Sequence, residues 1–169
     1  MQLITILGLA AAVASAKPTV YFIRHGEKPE SGNGLSGAGL ARAQCLRQVF
    51  GGTSSYDIQY ILAQTPKSDG KRQRPLDTVK PLAADLGLSV DTHCDRDDPK
   101  CVKKAVKDYK GDGNILICWE HKALHDLAKE LGAKNAPDYP GDRFDQIWID
   151  PSPYNNIDTS TSEQCPGDA

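Results

Sequence analysis

Two histidines of this chain each come directly after a run of apolar, strand-forming residues. His25 ends the stretch TVYFIRH, and His121 ends the stretch ILICWEH. In sheets of parallel strands, ligands bind beyond the carboxyl ends of the strands. Arg24 stands beside His25, and Arg74 begins a predicted helix, whose free N–H groups favour negative charge. The sequence therefore predicts an anion-binding pocket at one edge of a sheet.

These residue types suit the transfer of a phosphoryl group. The planar guanidinium of an arginine matches phosphoryl oxygens through two parallel hydrogen bonds. A neutral imidazole can attack phosphorus and split hydrolysis into two steps through a phosphohistidine. Neighbouring arginines disfavour the imidazolium form and stabilise charge in the transition state. The leaving oxygen also needs a proton, so we expect a carboxyl group with a raised pKa at the rim of the pocket.

Strand-like and helix-like segments alternate along the chain, which favours an α/β fold: a three-layer sandwich with a mostly parallel central sheet. The predicted strands span residues 19–24, 58–63, 88–92, 115–119 and 146–149. Helices are predicted at residues 36–50, from residue 74 onward, around 102–109 and around 124–131. Pro81 cannot continue a helix without losing a hydrogen bond, so we expect a second helix to begin there and to end before Gly87.

The charge balance narrows the choice of partner. A formal net charge of −2 over 169 residues gives no electrostatic footprint for nucleic acid or for an anionic membrane. The basic stretch at residues 67–72 contains an aspartate and is typical of a solvated loop, although Arg72 could meet an acidic substrate. We therefore expect no nucleic acid or membrane as a partner. The phosphoryl chemistry predicts a phosphorylated small molecule or a phosphoprotein instead, and we expect the protein to be a monomer.

The first sixteen residues, MQLITILGLAAAVASA, are apolar and end in a small-x-small pattern. This run is too short for a membrane span and is typical of a secretory signal peptide, with a buried first strand or helix as the alternative. The predicted organisation is a signal peptide at residues 1–16, a folded domain at 17–150 and a loosely ordered C-terminal tail at 151–169. The expected location of the protein is extracellular.

Secretion makes disulfides the natural interpretation of the five cysteines. Cys94 and Cys101 bracket a short polar loop and can close it. Cys118 lies inside an apolar run and is typical of a buried free thiol. Cys45 and Cys165 are free to pair, although their sequence positions do not settle this. A zinc site is the alternative, but paired C-x-x-C spacings and a neighbouring histidine pattern are missing, so we expect no metal.

Four motifs resemble those of the histidine phosphatase superfamily, which has the phosphoglycerate mutase-like fold. They are RHGE at residues 24–27, LSGAGLARA at 35–43, RPLDTVKPLAADLGL at 74–88 and ILICWEH at 115–121. They follow the family's order and cover most of the chain between residues 19 and 133. The chain departs from the family pattern at Lys28-Pro29, at the stretched loop 64–73 and at Lys122, which argues against mutase activity and leaves the substrate open.

The resemblance implies a role for each core residue. His25 falls on the phosphorylated nucleophile, and Arg24, Arg74 and His121 fall on the groups that hold the phosphate; the resemblance implies no cofactor. The family's general acid often follows the third strand or lies beside the second histidine. The candidates are Asp91, Asp95, Asp97, Asp98 and Glu120. Of these we favour Asp91, because it lies nearest the end of the predicted third strand.

The sequence thus predicts a secreted phosphatase that hydrolyses phosphomonoesters, or a phosphorylated protein side chain, through a phosphohistidine on His25. The competing hypothesis is a secreted anion-binding module that kept the phosphate pocket and lost turnover. It is motivated by the lack of a clear general acid and by Lys28-Pro29 after the first motif.

Overall fold

A computed structural model describes residues 17–166. The predicted signal peptide therefore lies outside the described residues. In the described part of the chain, no helix is both long enough and apolar enough to cross a bilayer.

One sheet of six strands forms the centre of the molecule. Along the chain the strands are β1 (Val20–Arg24), β2 (Ile58–Ala63), β3 (Val90–Asp91), β4 (Asn114–Trp119), β5 (Gln146–Asp150) and β6 (Asp158–Ser162). Their order across the sheet is β3-β2-β4-β1-β5-β6. The first four in this order run parallel, and β5 pairs antiparallel with both β1 and β6. The predicted α/β fold with a mostly parallel sheet is confirmed.

Within residues 17–166, four helices connect the strands: α1 (Gly37–Val49), α2 (Arg74–Leu86), α3 (Pro99–Asp108) and α4 (His121–Leu131). The side chain of Ser36 caps α1 by accepting a hydrogen bond from the Gly39 N–H at 3.1 Å, as its sequence position predicts. The helix α2 ends at Gly87, whose φ of 67° lies in the left-handed region that glycine adopts without strain.

The sheet is buried on both faces, which gives the three-layer sandwich. Along β4, Ile115, Ile117 and Trp119 face the apolar cluster that contains α3 and α4. The alternate residues Leu116 and Cys118 face the cluster that contains α1 and α2. Because both faces are covered, this strand is apolar from Ile115 to Trp119 instead of alternating with polar residues.

The structure differs from the sequence prediction at Pro81. A single helix, α2, continues through this proline, where we expected a second helix to start. Val79, Leu82 and Ala83 are buried together on the same side of α2. Their packing keeps the helix continuous although the proline removes one main-chain hydrogen bond.

The C-terminal segment also differs from the expected loosely ordered tail. Residues 158–162 form β6, which pairs with β5, and the carboxylate of Glu163 is buried. That carboxylate contacts Arg42 of α1 at 2.6 Å, and Arg42 also contacts Glu27 in the loop after β1. A buried arginine between two carboxylates, one of them on the last segment, fixes this segment against α1.

Two disulfides are present. Cys94 pairs with Cys101, as the sequence predicts, and closes the short loop before and at the start of α3. Cys45 on α1 pairs with Cys165, which settles the pairing that the sequence left open. Cys118 is buried with a free thiol, and burial raises its pKa. The Cys45–Cys165 disulfide attaches the C-terminal segment to the body of the domain a second time.

Candidate active site

Three neighbouring parallel strands end beside one another with polar residues. Gln64 follows β2, Glu120 follows β4 and His25 follows β1. The main-chain N–H of His25 donates to the carbonyl of Trp119 at 3.1 Å, and the N–H of Glu120 donates to Oε1 of Gln64 at 3.2 Å. The continuing strand register therefore brings the three residues to one edge of the sheet, as the sequence predicts for His25.

His25 is held in a defined protonation state. Its Nδ1 lies 2.7 Å from the Gly26 carbonyl, which can only accept, so Nδ1 carries the proton and Nε2 keeps its lone pair. The pKa of His25 is lowered to about 4, mainly by burial and in addition by the charges of Arg24 and Arg74, against the opposing effect of the Gly26 hydrogen bond. The imidazole is therefore neutral at all but acidic pH, as a nucleophile requires.

The glycine after this histidine is closely confined by its neighbours, so a larger residue would crowd them. A Cβ on Gly26 would lie 3.0 Å from the carbonyl oxygen of Gly39 and 3.1 Å from its Cα, both main-chain atoms of α1. The N–H of Gly26 also donates to Oγ1 of Thr78 on α2 at 2.8 Å. The first turn of α1 and the middle of α2 therefore fix the main chain that carries the His25 ring.

Arg24 is almost completely buried, with 2% of its surface exposed. Its Nη1 donates to the carbonyls of Pro140, Gly141 and Arg143, and its guanidinium carbon lies 3.6 Å from the centre of the Phe144 ring. Its Nε is buried and makes no hydrogen bond with the described residues. Arg24 thus binds the loop before β5 with one nitrogen and leaves another donor without an acceptor.

Arg74 lies at the start of α2, as predicted, and lines the same cavity as His25. Its Nε donates to the carbonyl of Gly34 at 2.9 Å and its Nη2 to that of Gly32 at 2.6 Å. These two bonds orient the guanidinium from the loop between β1 and α1.

His121 is the first residue of α4 and does not line that cavity. Its Nδ1 lies 2.9 Å from Oε1 of Glu120, but the two groups are not aligned as a hydrogen bond. Burial lowers the pKa of His121 and the charge of Arg24 lowers it further, while Glu120 opposes this. Both core histidines are therefore near Arg24, but only His25 faces the cavity.

The cavity at this edge has a volume of about 250 Å³. It is lined by His25, Gln64, Arg72, Arg74, Pro75, Arg96 and Glu120. The sequence prediction missed Gln64 and Arg96 and placed Arg72 in a solvated loop. Gln64 follows the apolar strand β2 directly, and that position, the same as that of His25, is the signal that would have found it.

The favoured acid Asp91 lies outside this cavity. It accepts hydrogen bonds from the Tyr60 hydroxyl at 2.6 Å and from the His93 main-chain N–H at 3.1 Å. Burial raises the pKa of Asp91, but these hydrogen bonds outweigh burial and the pKa is lowered overall. An ionised carboxylate on the edge strand cannot donate a proton at this cavity, so the structure does not favour Asp91 as the acid.

Among the five acid candidates, only Glu120 lines the cavity. Asp95 and Asp97 pair with Arg72 outside it, and Asp98 caps α3 by accepting from the Cys101 N–H at 3.0 Å. Burial raises the pKa of Glu120, but hydrogen bonds from Arg96 and from the Lys122 main chain outweigh it, so the pKa is lowered. Glu120 therefore has the position expected of the general acid, but its pKa is lowered and not raised.

One group of potential metal ligands lies beside this region. A nitrogen of His93 and the sulfurs of Cys94 and Cys101 are all within 4.8 Å of one another. The two sulfurs are joined in a disulfide, which removes the thiolates that a metal ion would need.

Comparison with known proteins identifies the fold. No protein-family model and no curated protein sequence matches the chain. Among solved structures it is similar to the protein histidine phosphatase SixA complexed with tungstate, with 15% identity over 86% of this chain and 97% of that one and a TM-score of 0.62. It is also similar to a mycobacterial hydrolase, with 12% identity over 88% of this chain and 91% of that one and a TM-score of 0.58.

The chain is also similar to a phosphoserine phosphatase from Entamoeba histolytica complexed with 3-phosphoglyceric acid. The identity is 12% over 88% of this chain and 98% of that one, and the TM-score is 0.55. The fold of the chain is therefore that of the histidine phosphatase superfamily, the phosphoglycerate mutase-like fold. The resemblance of the four sequence motifs is confirmed at the level of fold.

Proposed function

We propose that the protein is a phosphatase that hydrolyses phosphomonoesters through a phosphohistidine on His25. The observation that carries the proposal is the neutral imidazole of His25, with its Nε2 lone pair, in a cavity that Arg74 also lines. The names of the structural neighbours, a protein histidine phosphatase and a phosphoserine phosphatase, favour the same reaction class.

In the first step, Nε2 of His25 attacks phosphorus, the bond from phosphorus to the leaving oxygen breaks, and that oxygen takes up a proton. In the second step, water attacks phosphorus, the P–N bond breaks, and inorganic phosphate leaves with the histidine restored. The proton stays on Nδ1 throughout and is donated in a hydrogen bond to the Gly26 carbonyl, which stabilises the positive ring that forms when Nε2 is phosphorylated.

We assign the binding of the phosphoryl oxygens to Arg74, which lines the cavity, and to Arg24 and His121, which are the chain neighbours of the lining residues His25 and Glu120. Arg74 lines the cavity with a guanidinium that the carbonyls of the loop at 32–34 hold in place. The Nε of Arg24 is a buried donor without an acceptor, and such groups are rare in folded proteins unless a ligand or water satisfies them. An anion beside His25 would supply that acceptor.

Glu120 is the candidate for the proton donor, since it lines the cavity beside His25. Its lowered pKa means that only a small fraction is protonated near neutral pH, which favours substrates whose leaving group departs without much help. Aryl phosphates and phosphoramidates are of that kind.

The small, open cavity suits an exposed phosphate on a small molecule or a protein side chain. We propose further that the enzyme is secreted and monomeric. Two disulfides are consistent with an extracellular protein.

Intact mass spectrometry tests the phosphatase proposal. The mature chain is mixed briefly with 4-nitrophenyl phosphate, quenched, and compared with His25→Ala and with His125→Ala, a histidine on α4 that lies outside the cavity. We expect a transient mass gain of one phosphoryl group and release of nitrophenol in the parent and His125→Ala, and neither in His25→Ala. Full hydrolysis by His25→Ala would overturn the proposal.

A second candidate is an anion-binding module without turnover. It is favoured by the lowered pKa of Glu120, since no cavity carboxylate of the described residues is held protonated. Saturable binding of phosphate that depends on Arg74, without a covalent adduct on His25, would support this alternative instead of the enzyme.

A further inference from the structure

One aspartate, Asp97, lies between two arginines of the cavity. Nη2 of Arg72 donates to Oδ2 of Asp97 at 3.0 Å, and Nη1 of Arg96 donates to Oδ1 of the same carboxylate. Both arginines line the cavity with His25, whereas Asp97 does not. Two guanidinium groups from separate loops thus converge on one carboxylate at the mouth of the candidate active site.

The main chain holds each arginine independently of Asp97. Arg72 has a φ of 62°, in the left-handed region, within a tight loop in which the Lys67 N–H donates to the Lys71 carbonyl at 2.8 Å. The carbonyl of Arg96 accepts from the indole nitrogen of buried Trp119 at 3.0 Å, and the Cys94–Cys101 disulfide closes the loop. The side chains also have other partners, Asp95 for Arg72 and Glu120 for Arg96, so the two cationic groups would stay in place without Asp97.

Asp97 is also easy to displace. Its side chain is 58% exposed, whereas those of Arg72 and Arg96 are 23% and 25% exposed. Ion pairs at such an exposed carboxylate contribute little to stability, because water and salt screen them. A ligand anion that enters from the cavity would replace Asp97 on Nη2 of Arg72 and Nη1 of Arg96. The neighbouring nitrogens of the two arginines keep their contacts with Asp95 and Glu120.

We propose that Arg72 and Arg96 form a second anion-binding subsite, in which Asp97 takes the place of a substrate group. This rests on the proposed function, because the subsite adjoins the position of the scissile phosphate at His25. The substrate class is then a phosphomonoester whose leaving group carries a further anionic group, such as a carboxylate or a second phosphate. Asp97 leaves the arginines when this group binds.

Binding of paired phosphonates tests the subsite without depending on turnover. Isothermal titration calorimetry compares (4-carboxyphenyl)phosphonate with (4-carbamoylphenyl)phosphonate, which has the same shape and lacks the second charge. In the parent protein we expect the carboxylate compound to bind about tenfold more tightly, the effect of a charge-assisted pair that is partly exposed.

Three variants and a matched control locate the effect. Arg72→Gln and Arg96→Gln should each bring the ratio of the two dissociation constants close to one, and Asp97→Asn should raise it by about threefold. Asp108→Asn removes the same charge from another exposed ion pair, 62% exposed and on α3 outside the cavity, and should leave the ratio unchanged. Thermal unfolding of each variant shows that it is folded.

The outcomes separate the subsite from the catalytic proposal. A ratio near one in both the parent and Asp97→Asn overturns the subsite, even when 4-nitrophenyl phosphate is hydrolysed. A ratio that depends on Arg72 and Arg96 without any hydrolysis supports the subsite and overturns the phosphatase. Failure of the folded parent protein to bind either phosphonate overturns both.

Discussion

The side chain of Arg96 holds the carboxylate of Glu120 through two nitrogens, Nε at 3.1 Å and Nη2. Glu120 directly follows the central strand β4, and Arg96 belongs to the loop that the Cys94–Cys101 disulfide closes. This contact keeps Glu120 ionised although burial alone would raise its pKa. The loop between β3 and α3 therefore controls the charge of the only acid candidate that lines the cavity.

If Glu120 protonates the leaving group, the effect of its removal will depend on that group. We expect Glu120→Gln to lower kcat for an alkyl phosphate by about a hundredfold and for 4-nitrophenyl phosphate by less than about tenfold, because nitrophenolate leaves without a proton. Steady-state kinetics of the two substrates measure the difference. Glu130→Gln, which removes another paired carboxylate on α4, is the control. Equal losses with both substrates would rule out this role.

The buried neutral imidazole of His25 should make the fold sensitive to acid. Its pKa is about 4 in the folded protein and about 6.5 when unfolded, so the unfolded chain binds the extra proton first. The stability that this group contributes is complete above pH 6.5 and falls as the pH drops toward 4. Between pH 7.5 and 4.5 the loss is about 2–3 kcal/mol. Urea unfolding should show that the free energy of unfolding of His25→Asn falls by about 2–3 kcal/mol less than that of the parent protein between these pH values. A parallel decline in both proteins would contradict the prediction.

The sequence was sufficient for the residues whose position follows from a strand end. The sequence predicts the location of His25 because a continuous apolar run indicates a buried strand. The residue that follows a parallel strand lies at the carboxyl edge of the sheet, where ligands bind. Gln64 obeys the same rule and was missed because an amide suggests no chemistry by itself. The contact of Arg96 with Glu120 and the pairing of Cys45 with Cys165 join segments that are far apart in the sequence, and no local pattern encodes them.

Three incorrect predictions, at Pro81, at β6 and at Asp91, have a physical cause of a different kind. Pro81 stays within α2 because burial on one face of the helix outweighs the loss of one hydrogen bond. The strand β6 has the polar sequence DTSTS, which local preference does not identify as a strand, and it forms because β5 offers it a free edge. Asp91 was favoured for its place at the end of β3, but β3 is the outermost strand and its end lies away from the cavity.

Asp150 should oppose folding at high pH. This carboxylate is fully buried at the end of β5, makes no hydrogen bond with the described residues, and has a pKa that burial raises to about 7. Its folded pKa lies above the ordinary value, so the stability it contributes is complete below pH 3.8 and is lost as the pH rises through 7.

Asparagine imitates the protonated acid at this position. The stability advantage of Asp150→Asn over the parent protein should therefore increase by about 2–3 kcal/mol from pH 5 to pH 8. Urea unfolding at the two pH values measures the gain, and Asp126→Asn on the exposed side of α4 is the control. A gain that is the same at both pH values would show that Asp150 is ionised in the folded protein.

The two disulfides should differ in their effect on stability, because they close loops of different length. Cys45–Cys165 spans 120 positions, and Cys94–Cys101 spans 7. The entropy lost by the unfolded chain grows with loop length, so Cys45→Ala/Cys165→Ala should cost about 4–5 kcal/mol and Cys94→Ala/Cys101→Ala about 2–3 kcal/mol. Urea unfolding gives both values. Limited proteolysis should cut the first variant near β6, because the segment loses its covalent link to α1 and keeps non-covalent contacts such as those with β5 and with Arg42. A larger cost for the short loop would mean that its role is to hold Arg96 and Trp119 in the native state, not to restrict the unfolded chain.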